Sequence, residues 1–112
     1  MRKRQFVTVK YRIPGFHKWP GANNYLKFLH RHEFHFTVRI EVKHGNRDIE
    51  FIDLKEKLFR FTGKCMLYLD QSFSCETLSE EIGKYISSIY PNQPFAVWVE
   101  EDGENGAYLE AK

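Results

Sequence analysis

The sequence predicts an α+β fold in the order ββααββ: a four-stranded antiparallel sheet with two helices on one face. Three observations predict it. The segment from His30 to Lys43 alternates between apolar and charged residues without a break. Two later segments repeat apolar residues at helical spacing, around Leu54 and around Ile82. Shorter alternating segments flank this centre on both sides, a pattern that lays a helical layer over one sheet.

In Phe6–Ile13, Val7, Val9, Tyr11 and Ile13 alternate with Thr8, Lys10 and Arg12, as in a strand with one buried face. Pro14-Gly15 is expected to break that strand. The irregular text from Phe16 to Leu29, with Pro20-Gly21 and Asn23-Asn24, reads as a loop. In the second strand the even positions are His30, His32, Phe34, Phe36, Val38, Ile40 and Val42, and the odd ones Arg31, Glu33, His35, Thr37, Arg39, Glu41 and Lys43. One apolar and one charged face fit an antiparallel sheet, and His44-Gly45-Asn46 ends the strand. Phe51, Leu54, Leu58 and Phe61 lie on one helical stripe, with Gly63 expected as its stop. Leu78, Ile82, Ile86 and Ile89 form a second stripe, with Ser74 as its N-cap and Tyr90-Pro91 as its end. Phe95, Val97 and Val99 alternate through Glu101. A turn with Gly103 and Asn105-Gly106 then leads to a short last strand, Ala107–Ala111.

The 112 residues suit one domain, 1–112, with no linker, repeat or low-complexity segment. Apolar residues make up 42% and charged ones 29%, too rich in core formers for a disordered chain. Seventeen basic against 15 acidic side chains leave +2, which argues against a protein that coats nucleic acid. The basic MRKR start is too short to change that. No apolar run approaches a membrane span and no signal-peptide core follows the N-terminus, so a cytoplasmic protein without membrane partners is expected. Cys65 and Cys75 match neither a disulfide framework nor a CxxC zinc pattern and read as two reduced thiols. A chain this short can hardly enclose a deep pocket alone, so a site shared between subunits of a homo-oligomer is expected.

Of the five histidines, His17, His30, His32 and His35 crowd into one short stretch. His30 and His32 leave the same strand face, about 6.7 Å apart along the backbone. On an apolar face each ring either finds a carbonyl or carboxylate partner, or both turn onto a metal ion. With His17 in the preceding loop, they compose a three-histidine zinc site whose fourth position is open, the catalytic pattern. His35 faces the opposite side by the same alternation, and His44 sits in a turn. Glu101 ends an apolar stripe, where a carboxylate can clamp paired N–H donors of a ligand or simply meet water. Glu76, in the first turn of the second helix, suits the helix dipole. Asp70, in Leu-Asp-Gln-Ser between the helices, reads as a capping residue.

Taken together these pieces resemble the 6-pyruvoyltetrahydropterin synthase and 6-carboxytetrahydropterin synthase family. The likeness covers nearly the whole chain in order: His17 after the first strand, then His30-Arg31-His32, then Glu50-Phe51 with Leu54-Lys55, Leu69-Asp70, Ser74-Cys75-Glu76-Thr77-Leu78 and Val99-Glu100-Glu101. The resemblance implies a tunnelling fold, in which subunits join sheet edges into a barrel, as a trimer or a hexamer of two stacked trimers. It implies a zinc ion, Zn2+, held by His17, His30 and His32, and a pterin substrate, dihydroneopterin triphosphate or a relative. It implies a lyase of tetrahydrobiopterin or queuosine biosynthesis. Glu101 would anchor the pterin ring, Glu76 and Ser74 would line its site, and Asp70 would belong to the catalytic relay. Glu76 and Glu101 are expected from a neighbouring subunit.

The chain departs from the family at the chemistry itself. The family's catalytic cysteine falls on Leu26, and the histidine of its Asp-His relay falls on Gln71. Loss of a positioned base removes about 10²–10⁴-fold in rate. Cys75 is one relocated-base candidate and Tyr25 another. Two further readings therefore stand beside the enzyme: a silent member that binds zinc and a pterin or purine-like ligand, and a small interaction module with structural histidines.

Overall fold

A computed structural model describes residues 1–112. The elements run β1 (Phe6–His17), β2 (His30–Glu41), α1 (Phe51–Tyr68), α2 (Cys75–Ile89), β3 (Phe95–Glu101) and β4 (Asn105–Ala111), with one 3-10 turn at Tyr25–Lys27. The sheet has the order β1-β2-β3-β4, every neighbouring pair antiparallel. This is the expected α+β arrangement in the order ββααββ. No helix is long and apolar enough to cross a membrane.

The alternation in β2 sets the layers. Phe34, Phe36, Val38 and Ile40 are buried, whereas their odd-numbered neighbours are only partly covered. Register carries this face across the sheet: Val9 pairs with Val38 and Tyr11 with Phe36, while Val97 pairs with Val38 and Val99 with Phe36. Leu54 and Leu58 of α1 and Leu78, Ile82 and Ile86 of α2 close over it, all fully buried. Each of these side chains gains about 1.5–3 kcal/mol by leaving water. Ser74 caps α2 by accepting the Thr77 N–H at 3.0 Å, as its position predicts. Glu50 caps α1, accepting the Ile52 and Asp53 N–H groups at 3.2 and 3.0 Å.

Two expected stops do not stop their elements. β1 continues through Pro14-Gly15 to His17, so His17 is a strand residue and not a loop residue. β1 is a sheet edge, where proline's missing N–H is tolerated. Gly15 has a packing reason: a Cβ there would stand 2.5 Å from the Met66 methyl, which fills the space beneath the strand beside Phe34. Likewise α1 passes Gly63 and adds more than a turn. An interior glycine costs about 0.5–1 kcal/mol relative to alanine. Burial of Thr62, Cys65 and Met66 outweighs that cost, and the Thr62 hydroxyl bonds to Tyr11 Oη at 2.8 Å. Two boundaries also move slightly: β2 ends at Glu41, and β4 begins at Asn105.

Gly63 lies inside the helix, and a Cβ added there would meet nothing within 4 Å. Gly63→Ala is therefore expected to stabilise the protein by about 0.5–1 kcal/mol. Urea unfolding measures this, and an unchanged or lowered midpoint would contradict an uninterrupted α1.

Candidate metal centre

His17 closes β1, and His30 and His32 open β2. The register sets His17 directly opposite His30 and Gly15 opposite His32, so the three rings share the helix-facing side. Their centroids are 4.5 Å (His17–His30), 4.9 Å (His30–His32) and 5.2 Å (His17–His32) apart. β3 ends with Glu101 opposite Phe34, one pleat from His32. Its carboxylate thereby joins the cluster.

The ring protons are placed by their partners. His17 Nδ1–H donates to the Phe73 carbonyl at 2.9 Å, and His30 Nδ1–H to the Phe28 carbonyl at 2.9 Å. His32 Nδ1–H donates to Asp102 Oδ2 at 2.7 Å. A carbonyl can only accept, so a proton sits on Nδ1 and leaves Nε2 as the atom that can face a ligand. All three Nε2 atoms are buried and have no hydrogen-bond partner. Glu101 Oε2 lies 2.8 Å from His17 Nε2 and 3.0 Å from His32 Nε2. At that range the nitrogens and the carboxylate are joined either by a proton on Nε2 or by a cation that both touch.

The four ligand atoms, one each from His17, His30, His32 and Glu101, lie within 4.8 Å of one another. This group can hold a metal ion. The donors are shielded, with His17 exposing 12% of its side chain, His32 19% and Glu101 29%. Phe34 and Phe73 pack against the rings: Phe34 lies edge-on to His17 at 5.1 Å and to His32 at 6.0 Å, and Phe73 stands 5.4 Å from His17.

Asp102 completes the support. Its Oδ1 accepts the Glu33 N–H at 2.9 Å while its own N–H donates to the Glu33 carbonyl at 2.7 Å. Asp102 and Gly103 are both left-handed (φ 56° and 72°), and the Glu104 N–H closes the turn on the Glu101 carbonyl at 3.0 Å. This is the Asp-Gly hairpin turn. The Glu33 N–H and the His32 ring hold the Asp102 carboxyl below the usual carboxylate range. It stays an acceptor for the ligand's ring N–H.

Three members of the cluster, His17, His30 and Glu101, line a cleft of about 590 Å³, whose walls also include Lys18, Trp19, Leu26 and the start of α2 from Ser74 to Thr77. Several expected residues meet here. His17, His30, Ser74, Cys75, Glu76 and Glu101 line the same cleft. Glu101 stands beside the histidines of its own chain, and Glu76 shares their cleft. The reason is register: the pairing of Phe34 with Glu101 fixes the carboxylate next to His32. Burial, with the charges of Glu101, Glu76 and Glu100, pushes the Cys75 thiol up to about 12, so it stands protonated and a poor proton acceptor. Tyr25 is exposed, 5.8 Å from the His30 ring. Asp70 is exposed in a left-handed turn and joins neither the cluster nor the cleft wall. His35 turns to the other sheet face, 3.0 Å from Glu33 Oε1, and His44 lies in an exposed turn.

Sequence reasoning missed Asp102 and the carbonyls of Phe28 and Phe73. The Asp102-Gly103 dipeptide after a strand is a legible turn signal, but its position beside Glu33 needs the β2–β3 register. Main-chain carbonyls leave no mark in a sequence at all. Asp102→Asn retains a residue that tolerates the left-handed turn but leaves one oxygen for two N–H donors. It is expected to weaken metal affinity about 10–100-fold in chelator competition with the fold intact by circular dichroism. Unchanged affinity would remove Asp102 from the site.

A scan against protein-family models and a search of curated proteins each found no match to the chain. What the chain does offer is a donor set: three buried imidazole Nε2 atoms and one partly exposed carboxylate, beside a cleft.

Proposed function

We propose that the chain is a zinc-dependent, pterin-processing lyase similar to the 6-pyruvoyltetrahydropterin and 6-carboxytetrahydropterin synthases, acting on dihydroneopterin triphosphate or a related pterin. The observation that carries the reading is the trio of buried Nε2 atoms without partners, gathered with Glu101. Three imidazoles suit zinc, whereas calcium and magnesium take mostly oxygen donors. His17, His30 and His32 would hold it. Bound zinc supplies a Lewis acid that polarises an oxygen of the substrate's side chain and makes the adjoining C–H more acidic.

The chain's own residues supply recognition. Glu76 stands in the first turn of α2 on the cleft wall, with the capping Ser74 two residues before it. Lys18 places a cation at the same opening, suited to a phosphorylated substrate. Glu101 offers a carboxylate to paired N–H donors of a planar ring. The edges β1 and β4 have no strand beyond them, which suits the edge-to-edge barrel of a trimer or hexamer. On this reading the protein is cytoplasmic, with no membrane or nucleic-acid partner.

A second reading has its own support. Leu26, on the cleft wall, brings no proton acceptor, and Cys75 is held as a thiol. A silent member that binds zinc and a pterin or purine-like ligand would need neither.

Purified protein is expected to carry one zinc ion per chain by atomic absorption, and His30→Ala to lose it. A chain with well under one zinc, or a variant that retains it, contradicts the ligand set. Incubation with dihydroneopterin triphosphate is expected to release triphosphate and change the pterin absorbance. Binding without either change would select the silent reading. Sedimentation at micromolar concentration is expected to give a trimer or hexamer, and a monomer would contradict the barrel.

A further inference from the structure

Glu101 stands where it can open or close that metal site. We infer that Glu101 is itself a fourth ligand in the resting protein, and that it acts as a gate which an incoming ligand must displace. The inference rests on the metal reading above and adds a regulation to it.

Glu101 Oε2 is 2.8 and 3.0 Å from two of the ring nitrogens that would bind the ion. A cation held by His17 and His32 through Nε2 therefore lies within reach of this oxygen. Four protein donors close a zinc site, and three leave it open. Glu101 decides between these two states. Its carboxylate also offsets one charge of a dication that three neutral imidazoles leave in full.

Outside the cluster, no donor holds the Glu101 carboxylate in place; its only close partners are the His17 and His32 ring nitrogens. It takes part in no side-chain hydrogen bond to a donor elsewhere, and 29% of its side chain faces the cleft. The neighbouring Asp102, by contrast, is fixed by two hydrogen bonds through its carboxylate. Ligation by Glu101 and clamping of a ligand's N–H donors use the same oxygens, so they exclude each other. A simple anion must displace the carboxylate with no compensation. A ligand that carries adjacent N–H donors together with a metal-binding oxygen replaces both partners at once. The site is thereby selective for a bifunctional ligand of that chemistry over small anions.

The test uses the cobalt(II)-loaded full chain, with thiocyanate as the probe and visible absorption as the readout. Wild type is compared with Glu101→Gln, Glu101→Ala and the charge control Glu100→Gln, whose side chain lies on the other sheet face. Both Glu101 variants are expected to bind thiocyanate about tenfold or more tightly than wild type, and to hold cobalt about tenfold or more weakly. Glu100→Gln is expected to match wild type. If cobalt binds but thiocyanate affinity is equal in wild type and both Glu101 variants, the gate is overturned and the metal reading stands. An equal gain in Glu100→Gln would reduce the effect to general charge and also overturn it. Failure of wild type to bind cobalt or zinc at all would overturn the metal reading and the gate with it.

Discussion

Each of three imidazoles gives its Nδ1 proton to an oxygen outside the cluster, and the rest of the site follows from that. With Phe73, Phe28 and Asp102 holding the Nδ1 protons, the Nε2 lone pairs of His17, His30 and His32 point inward. A buried polar atom left unpaired costs about 1–3 kcal/mol. Two of the three sit against the Glu101 carboxylate, and His30 Nε2 has no such partner. The same outer hydrogen bonds that fix each tautomer also fix each ring's direction, as the hydrogen-bond partners of metal-binding histidines do.

The core makes this arrangement rigid. β2 is continuous through both jobs: its first even positions are His30 and His32, and the next four are Phe34, Phe36, Val38 and Ile40. No side chain of that strand can slip by one residue without exposing four core residues at once. Phe34, fully buried, lies edge-on to the His17 and His32 rings and packs against Phe73 in the connection between α1 and α2. The extension of α1 past Gly63 supports the same end, because Met66 packs beneath Gly15, the residue opposite His32.

Function turns on the contrast between this well-held donor set and the thin acid-base equipment around it. The cleft offers carboxylates, a lysine and a helix start, all suited to recognition, while Leu26 is apolar and Cys75 is held as a thiol by burial and by nearby negative charge. The donor set is well held, and the groups suited to proton transfer are sparse. Glu101 sits where the two meet, on the cleft wall and against the ring nitrogens.

Much of this was legible in residue order. Period-two alternation gave β2 and β3, and with them the face of every even residue from His30 to Ile40, because a strand has only two faces. Helical spacing and a serine cap gave α2. Local signals failed at Pro14-Gly15 and Gly63, where packing with distant residues outweighed a breaker's preference of about a kcal/mol or less for glycine. Sequence alone therefore determined the element order, the core stripe and the candidacy of His17, His30 and His32. Only the tertiary structure decided that Glu101 of the same chain joins them, that Asp102 orients His32, and that each Nδ1 is already engaged. Those facts depend on cross-strand register and on main-chain carbonyls, and neither is written in the order of side chains.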